Sequence, residues 1–394
     1  MPSDPLSIES LCAELNLPEW VRDFRHAAGG KVVFGPGTLD TLGAEAASLG
    51  GERVLVVTDP GLAKTGFVQR AVASLRVVGI EVVVYDQVRE NPDTEDVDRC
   101  VAVAAEGRID LIVGLGGGSS LDTAKGCNFI LTNGGRMQDY WGVGKATKPM
   151  LPFIAVPTTA GTGSECQKFA LIADAETHAK MACGDTKCAA AVSILDPELT
   201  VTMPTAVTAH TGIDAIAHAL ETAVCNQRNE ISSACSAVAW QLLDAGLARV
   251  LAEPSDLEAR ARMLLGSAFA GTAIENSMLG IAHSCANPLT AHYGTIHGQA
   301  VGTILPHVIA FNRTDAEAAA IYDKLSGGID LAARVREHLR ACGMDLSLRE
   351  LGVDEAKVPQ LAEEAAAQWT ARFNPVAVDA ASLESVYRAA WGQG

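Results

Sequence analysis

A repeating alternation of apolar runs and helix-like segments begins near residue 31. The helix-like segments include Gly61–Arg76, Thr94–Glu106 and Ser119–Leu131. Strands that alternate with helices in this way predict a largely parallel sheet with helices on both faces. The apolar runs, which are rich in β-branched residues, cover residues 31–34, 53–58, 81–85, 109–114, 151–156 and 191–195.

The strand pattern stops after Asp196–Pro197, and the rest of the chain is predicted to be helical. Alanine is abundant there, and residues suited to helix starts, such as Pro204 and Ser255–Asp256, mark the boundaries. The predicted helices cover residues 204–225, 230–252, 256–277, 281–290, 297–312, 316–324, 329–342, 354–371 and 379–391.

Two domains follow from this change of pattern. We predict an α/β domain over residues 1–201 and an all-α domain over residues 202–394. Residues 1–30 precede the first strand as a lead-in, with a short amphipathic helix between Ser7 and Trp20. Because no flexible linker separates the domains, we expect them to pack together with a cleft between them.

The composition indicates a large globular protein with an acidic surface. Of 394 residues, 48% are hydrophobic and 20% charged, and the formal net charge is −17. Such a charge repels nucleic acid and anionic membranes, so we expect neither as a partner. Ten scattered cysteines without a Cys-x-x-Cys pair indicate reduced thiols, and Met1–Pro5 lacks the start of a secretory signal. We therefore expect a cytoplasmic protein.

One carboxylate and three histidines in the helical half have spacings that suit a metal ion. Asp214 and His218 are four residues apart in a run of helix formers, so both project from one helical face. A capped or solvent-facing pair would have the same spacing. His283 and His297 would complete a mixed oxygen and nitrogen site of the kind that suits Fe(II) or Zn(II).

A glycine-rich turn follows the apolar run at 109–114 and leads into a helix. Backbone N–H groups in such a turn, together with the helix N-terminus, can bind a pyrophosphate. A tight turn without a ligand would need glycines as well. The candidate cofactor residues on this segment are Gly116, Gly117, Gly118, Ser119 and Asp122.

Asp59 ends the apolar run at 53–58 with a carboxylate. In that position it can accept hydrogen bonds from the ribose hydroxyls of a dinucleotide and repel a 2′-phosphate, which predicts NAD over NADP. The alternative role for Asp59 is to cap the helix that begins near Gly61.

Four longer motifs occur in the order found in one enzyme family. They are Lys31-Val-Val-Phe-Gly-Pro-Gly, Gly116-Gly-Gly-Ser, Pro157-Thr-Thr-Ala-Gly-Thr-Gly-Ser-Glu and Leu305-Pro-His-Val. Through them the chain resembles the iron-containing (group III) alcohol dehydrogenases over nearly its whole length. The resemblance implies that the metal is held by Asp214, His218, His283 and His297. It also implies cofactor contacts at Asn91, Thr158, Thr159, Thr162 and Lys180, and it supports NAD through Asp59.

The resemblance further identifies candidate substrate positions. Phe169, Ile274 and Leu279 match pocket positions of the family and would form an apolar lining, although core packing would use the same residue types. Asn287 stands where related enzymes carry a histidine that helps to relay the alcohol proton, and a carboxamide cannot exchange a proton near neutral pH. His292 is the nearest histidine that could replace it, although its position favours packing.

The predicted function is hydride transfer between a small or medium primary alcohol and NAD. A divalent metal, Fe(II) before Zn(II), would lower the pKa of the alcohol, and nicotinamide would take the hydride. Two alternatives stay open: a polyol or hydroxyacid dehydrogenase of the same superfamily, and a catalytically silent metal- or nucleotide-binding protein. The resemblance implies a homodimer or a larger even homo-oligomer.

Overall fold

The computed structural model describes residues 7–26 and 29–392. The predicted lead-in is therefore described only in part, and the segment Met1–Pro5 lies outside the described residues. The chain divides into two compact units, one ending at Met203 and the other beginning at Pro204. In the described part of the chain, no helix has both the length and the apolar character needed to cross a bilayer.

The first unit alternates strands and helices along most of its length. Its strands are β1 (Lys31–Phe34), β2 (Arg53–Val57), β3 (Glu81–Tyr85), β4 (Leu111–Gly116), β5 (Gly142–Val143), β6 (Phe153–Pro157), β7 (Phe169–Ala173), β8 (Lys180–Gly184) and β9 (Val192–Leu195). Its α-helices are α1 (Ile8–Glu14), α2 (Leu42–Ser48), α3 (Phe67–Val77), α4 (Thr94–Gly107) and α5 (Gly118–Asn133).

Six of these strands form one sheet in the order β1-β9-β6-β4-β2-β3. Every neighbouring pair is parallel, so the predicted parallel sheet is confirmed. Alternate side chains of β2 point to opposite faces, as the period of a strand requires. Val54 and Val56 pack against α2 and α3, whereas Leu55 and Val57 pack against α4 and α5.

The order of the strands determines where a ligand can bind to this sheet. The chain runs from β2 outward to β3 and then returns to the other side of β2 as β4. Ligands of open parallel sheets bind beyond the carboxyl ends of the strands at such a reversal. Asp59 follows β2, Gly117 follows β4, and Thr158 follows β6, the other neighbour of β4. Three segments that were predicted to bind the cofactor therefore lie at the carboxyl-terminal edge of the sheet.

A second, smaller sheet was not predicted from the sequence. It has the order β5-β8-β7, with β7 and β8 antiparallel. Phe169–Ala173 contains only two strong strand formers, Phe169 and Ile172, and Lys180–Gly184 contains none, so neither segment shows the β-branched run that marks the strands of the large sheet. Pairing with each other and packing against Phe129 and Met137 stabilise them instead.

The second unit is helical, as predicted. Its α-helices are α6 (Thr205–Val224), α7 (Glu230–Ala252), α8 (Leu257–Asn276), α9 (Ile281–Tyr293), α10 (His297–Asn312), α11 (Ala316–Ser326), α12 (Leu331–Ala341), α13 (Val358–Ala366) and α14 (Ala380–Trp391). The predicted fold class, an α/β part followed by a helical part, is thus confirmed.

Three predicted helices are shorter than expected. The segment Gly61–Arg76 is α-helical only from Phe67, after a separate 3₁₀ turn over Leu62–Lys64. In the lead-in, α1 ends at Glu14 because Asn16 adopts a left-handed backbone with φ 50° and Pro18 follows. The predicted helix over 354–371 is continuous only as α13. After it, the side chains of Gln368 and Thr370 bind to α9, and the backbone turns instead of continuing the helix.

Candidate active site

Helix α6 carries three polar residues on one buried face. Asp214, His218 and Glu221 are separated by four and three residues, and each is no more than 8% exposed. The surrounding alanines favour the helix and leave room for neighbouring helices to pack closely. Buried polar side chains on an otherwise apolar helix need partners, and α9 and α10 provide them.

Three histidine side chains converge on one oxygen of Asp214. The distances from Asp214 Oδ1 are 3.2 Å to His283 Nε2, 3.5 Å to His218 Nε2 and 3.6 Å to His297 Nε2. The ligand atoms of Asp214, His283 and His297 all lie within 4.8 Å of one another. The structure thus brings together all four predicted metal ligands, from three helices.

The spacing of these atoms fits a bound cation. Fe(II) and Zn(II) bind nitrogen and oxygen at about 2.1 Å, so neighbouring ligand atoms in a tetrahedral site are about 3.4 Å apart. The three separations from the Asp214 oxygen, 3.2 to 3.6 Å, fall around that value. One hard carboxylate and three imidazoles also form a set of ligands that both metals accept.

Glu221 is a residue of this site that the sequence analysis missed. Its Oε2 lies 2.5 Å from Nδ1 of His283, and its Oε1 accepts a hydrogen bond of 2.6 Å from the backbone N–H of Ala282. The sequence does contain the signal, because Glu221 is seven residues after Asp214 and three after His218 on the same helical face.

The charges at this site shift two pKa values in opposite directions. Burial raises the pKa of Asp214, but His218, His283 and His297 oppose it and hold that pKa well below its usual range. Burial lowers the pKa of His283, but the carboxylates of Glu221 and Asp214 more than compensate and raise it to about 10. The single positive charge of a protonated His283 therefore offsets one of the two carboxylates that face it.

In the first unit, the glycine turn packs directly against the threonine-rich loop after β6. Gly116 has φ 153°, and a Cβ there would lie 2.4 Å from Ser120 Oγ. A Cβ on Gly118 would lie 2.8 Å from the Thr162 methyl group, and one on Gly117 would lie 3.2 Å from that of Thr159. The glycines are thus required for this close approach.

Three further predicted cofactor residues, Thr158, Asn91 and Asp59, lie next to this turn. Thr158 donates its backbone N–H to the Gly116 carbonyl at 3.0 Å, and Asn91 donates its own to Ser119 Oγ at 3.3 Å. Asp59 Oδ1 accepts the N–H groups of residues 61 and 62, so Asp59 caps the short 3₁₀ turn Leu62–Lys64, whereas α3 begins only at Phe67. Its Oδ2 lies 3.5 Å from the Cβ position of Gly116, at the edge where the cofactor is predicted.

Asp122 belongs to a buried polar network beneath the turn. Ser164 Oγ donates to Asp122 Oδ1 at 2.7 Å, and Lys125 Nζ donates to Ser164 and to the Phe169 carbonyl at 2.7 to 2.9 Å. Burial raises the pKa of Asp122, and the nearby charges of Lys125 and Lys180 oppose the shift. This network ties α5 to the threonine-rich loop and to β7.

The predicted substrate residues are divided between the two units. Phe169 begins β7 in the first unit, and its ring packs on Gly184. In the second unit, Ile274 is buried near the end of α8, and the half-buried Leu279 lies in the turn before α9. A pocket shared by Phe169, Ile274 and Leu279 therefore stays a prediction.

Asn287 and His292 lie on the same helix as His283 but differ in position. Asn287 is one helical turn after His283 and donates from Nδ2 to Gln368 Oε1 at 3.1 Å. His292 is nine residues after His283, which is about 13 Å along α9. Its Nε2 lies 2.7 Å from Glu364 on the exposed surface, so His292 is not part of the metal-ligand cluster.

Comparison with known proteins identifies both halves of the chain. Residues 29–197 match the family model described as iron-containing alcohol dehydrogenase, and residues 208–391 match the C-terminal model of the same family. The 1,3-propanediol dehydrogenase of Klebsiella pneumoniae is 35% identical over 91% of this chain and 96% of its own. The NAD-dependent methanol dehydrogenase of Bacillus methanolicus is 33% identical over 87% and 93%.

A solved structure gives the same result. The sulfoacetaldehyde reductase from Bifidobacterium kashiwanohense, crystallised in complex with NAD⁺, superposes with a TM-score of 0.87 at 27% identity. The match covers 94% of this chain and 99% of that one. The predicted enzyme class, an NAD-dependent alcohol dehydrogenase, and the predicted cofactors, NAD and a divalent metal, are those of the matched family. The chain belongs to the iron-containing alcohol dehydrogenase family.

Proposed function

We propose that the protein interconverts a small or medium primary alcohol and its aldehyde at a metal site formed by Asp214, His218, His283 and His297. The observation that carries this proposal is the convergence of three Nε2 atoms within 3.6 Å of a single carboxylate oxygen. Fe(II) is the first expected metal and Zn(II) the second.

Each group in the proposed reaction has a distinct task. When bound, the metal supplies a Lewis acid that lowers the pKa of the alcohol oxygen, and NAD supplies the hydride acceptor. Asp214 would supply a negative charge to the metal, and the three imidazoles would hold the metal in position. The N–H groups at Gly117 and Gly118 bind the pyrophosphate at the start of α5. Oδ2 of Asp59 accepts a ribose hydroxyl and disfavours a 2′-phosphate.

The alcohol proton must leave without a histidine at position 287. Asn287 can orient a water molecule or the substrate through its amide, but it cannot carry the proton itself. His292 lies on the exposed surface and pairs with Glu364. We therefore propose that the proton leaves to solvent water; a bound cofactor would offer a ribose hydroxyl as the other acceptor.

The substrate is proposed to be a small or medium primary alcohol without a strong negative charge. Ile274 and Leu279 offer apolar surface in the second unit, and Phe169 is the proposed contribution of the first. Among the relatives, propanediol and methanol dehydrogenases suit a short chain, whereas a long-chain-alcohol dehydrogenase suits a longer one, so the panel of alcohols decides the chain length. A polyol or hydroxyacid dehydrogenase of the same superfamily remains the alternative.

The same proposal includes the organisation and location of the protein. We assign cofactor binding to a domain over residues 1–201 and metal binding to a domain over residues 202–394. A cytoplasmic homodimer or larger even homo-oligomer agrees with the family resemblance and with cysteines that form no motif for a disulfide framework or a metal site.

A panel of alcohols tests this function. The rate of NADH formation is measured with methanol, longer primary alcohols, diols and hydroxyacids, before chelation, after chelation, and after refilling with Fe(II) or Zn(II). We expect chelation to abolish the oxidation of short primary alcohols and refilling to restore it. Activity that survives complete removal of the metal, or that occurs only with hydroxyacids, contradicts the proposal.

A further inference from the structure

Glu221 connects the two helices that carry three of the four proposed metal ligands. It lies on α6 with Asp214 and His218, and its carboxylate reaches the beginning of α9. There, Oε1 accepts the N–H of Ala282 at 2.6 Å, and Oε2 lies 2.5 Å from His283 Nδ1. Neither contact takes part in the reaction proposed above.

The geometry leaves Glu221 little freedom to move. Its side chain is 2% exposed. A Cβ on Gly280, the residue before α9, would lie 3.1 Å from Oε1 of Glu221 and 3.1 Å from Oδ1 of Asn374. Gly280 has no side chain with which to cap α9, so Glu221 supplies the missing acceptor from another helix. The carboxylate is therefore held at a fixed position relative to His283.

A carboxylate in that position determines which nitrogen of His283 carries its proton. An ionised carboxylate can only accept hydrogen bonds, so Nδ1, which faces Oε2, must carry the one N–H whenever His283 is neutral, as a metal ligand has to be. Nε2 is then the nitrogen with a free lone pair, and it points at Asp214 Oδ1 from 3.2 Å. A metal ion needs that lone pair.

We propose that Glu221 is a positioning residue that orients His283 and fixes the tautomer in which Nε2 can bind the metal. The inference rests on the metal site proposed above. Glu221 would then increase the metal affinity in addition to capping α9. Outer partners of this kind typically contribute a factor of about 10 to 100 to metal affinity.

The decisive substitution is Glu221→Gln. Glutamine has one acceptor oxygen and one donor NH₂ group in place of the two carboxylate oxygens, so it cannot accept from Ala282 at one terminal atom and from His283 at the other. If the glutamine oxygen still accepts the N–H of Ala282, the glutamine NH₂ faces Nδ1 of His283. The His283 proton is then on Nε2, where it prevents metal binding. We expect the affinity for Co(II), measured by competition with a chelator, to fall about 10- to 100-fold. The visible absorption of the bound Co(II) should shift as well.

A second pair on α9 provides a matched control. His292 and Glu364 form a similar contact of 2.7 Å on the surface, and neither is a proposed ligand. Glu364→Gln should leave the Co(II) affinity within about threefold of the wild-type value. In a His283→Ala background, Glu221→Gln should cause no further loss, because the side chain through which it acts is gone.

The tautomer can also be observed without any variant at position 221. In Zn(II)-loaded protein with isotope-labelled histidine, NMR should detect the His283 proton on Nδ1, with the resonance assigned by its loss in His283→Ala. This measurement keeps the proposal testable even if Glu221→Gln does not fold.

The outcomes distinguish the two proposals. If His283→Ala binds Co(II) as tightly as the wild-type protein, the assignment of His283 as a metal ligand is wrong, and the proposed metal site with it. If His283→Ala loses the metal but Glu221→Gln stays within threefold of wild type, only the role of Glu221 is overturned. A His283 without a proton on Nδ1 also overturns that role. Weak binding by Glu221→Gln, with Glu364→Gln unchanged, supports it.

Discussion

Asp214 is the residue at which the proposed metal site converges. Its Oδ1 faces three imidazoles, and the carboxylate remains ionised because they lower its pKa. An isolated Asp and His four residues apart would be an ordinary helical pair. Their significance comes from His283 and His297, which are distant in sequence but adjacent in the fold.

Replacing Asp214 by asparagine should remove the metal without changing the size of the side chain. The amide loses the negative charge that offsets a divalent cation, so we expect metal affinity to fall by more than about 100-fold. Asp244→Asn is the matched control, because Asp244 faces His338 at 2.7 Å away from the metal-ligand cluster. Elemental analysis after dialysis measures both. Normal metal content in Asp214→Asn contradicts the assignment.

Asp59 has two tasks that a single substitution can separate. In Asp59→Asn, the amide oxygen can still accept the N–H groups of residues 61 and 62, but the charge near Gly116 is lost. We expect the preference for NAD over NADP in kcat/KM to fall about tenfold, which corresponds to about 1.4 kcal/mol. Steady-state kinetics with both cofactors measures the ratio. An unchanged ratio would mean that Asp59 is only a helix cap.

At the scale of elements, the metal site depends on how closely α10 approaches α6. Gly298 follows the ligand His297, and a Cβ there would lie 2.2 Å from the backbone oxygen of His210. A backbone atom cannot yield as a side-chain end can, so any larger residue must push the start of α10 away from α6. The position of His297 therefore depends on a glycine that has no chemistry of its own.

The substitution Gly298→Ala should weaken metal binding through the backbone. We expect a loss of about 1–3 kcal/mol in stability, as is typical of overpacking, together with reduced metal affinity. Gly302→Ala on the same helix is the control, because its Cβ would meet side-chain atoms of Ile213 and Leu339, which can move. Thermal unfolding and metal titration of both variants provide the measurement. Equal metal affinity in both would contradict this role.

At the scale of the whole molecule, the formal net charge is −17. A single buried ionisable group can affect the pH dependence of stability more than any one of the exposed charges. Glu165, in the threonine-rich segment, is 1% exposed, and its Oε1 has no hydrogen-bond partner among the described residues. Burial raises the pKa of Glu165 to about 7, against smaller opposing effects of the backbone and of Lys125. The folded protein therefore holds this proton more tightly than the unfolded chain does.

This difference predicts a specific dependence of stability on pH. Between the ordinary pKa of 4.5 and about 7, the folded state binds more protons at Glu165 than the unfolded state, so the free energy of unfolding falls as the pH rises. The contribution lost amounts to about 3 kcal/mol at most. Glu165→Gln should remove this slope, whereas Glu106→Gln at an exposed helical position should keep it. Denaturant unfolding at pH 5 and pH 8 tests both, and identical slopes in all proteins would refute the prediction.

Much of the fold could be predicted because its signals are local. The strands of the large sheet have continuous apolar runs. Many helices of the second unit are alanine-rich, and five of them, α7, α8, α11, α12 and α14, begin with a side-chain cap, so these segments favour their structure by themselves. The hairpin of β7 and β8 lacks such a signal. Its strands form only because they pair with each other and pack on α5 and nearby residues, which are contacts that no short window of sequence contains.

The sequence alone determined the identities that chemistry requires: a carboxylate and three imidazoles, a glycine turn, and an aspartate after a strand. These depend on residue type and spacing along single elements. Only the tertiary structure decided that the three imidazoles face one oxygen, that Glu221 holds His283, and that His292 lies on the surface with Glu364. The physical reason is that such contacts depend on how helices pack, and packing is set by the joint shape of many side chains.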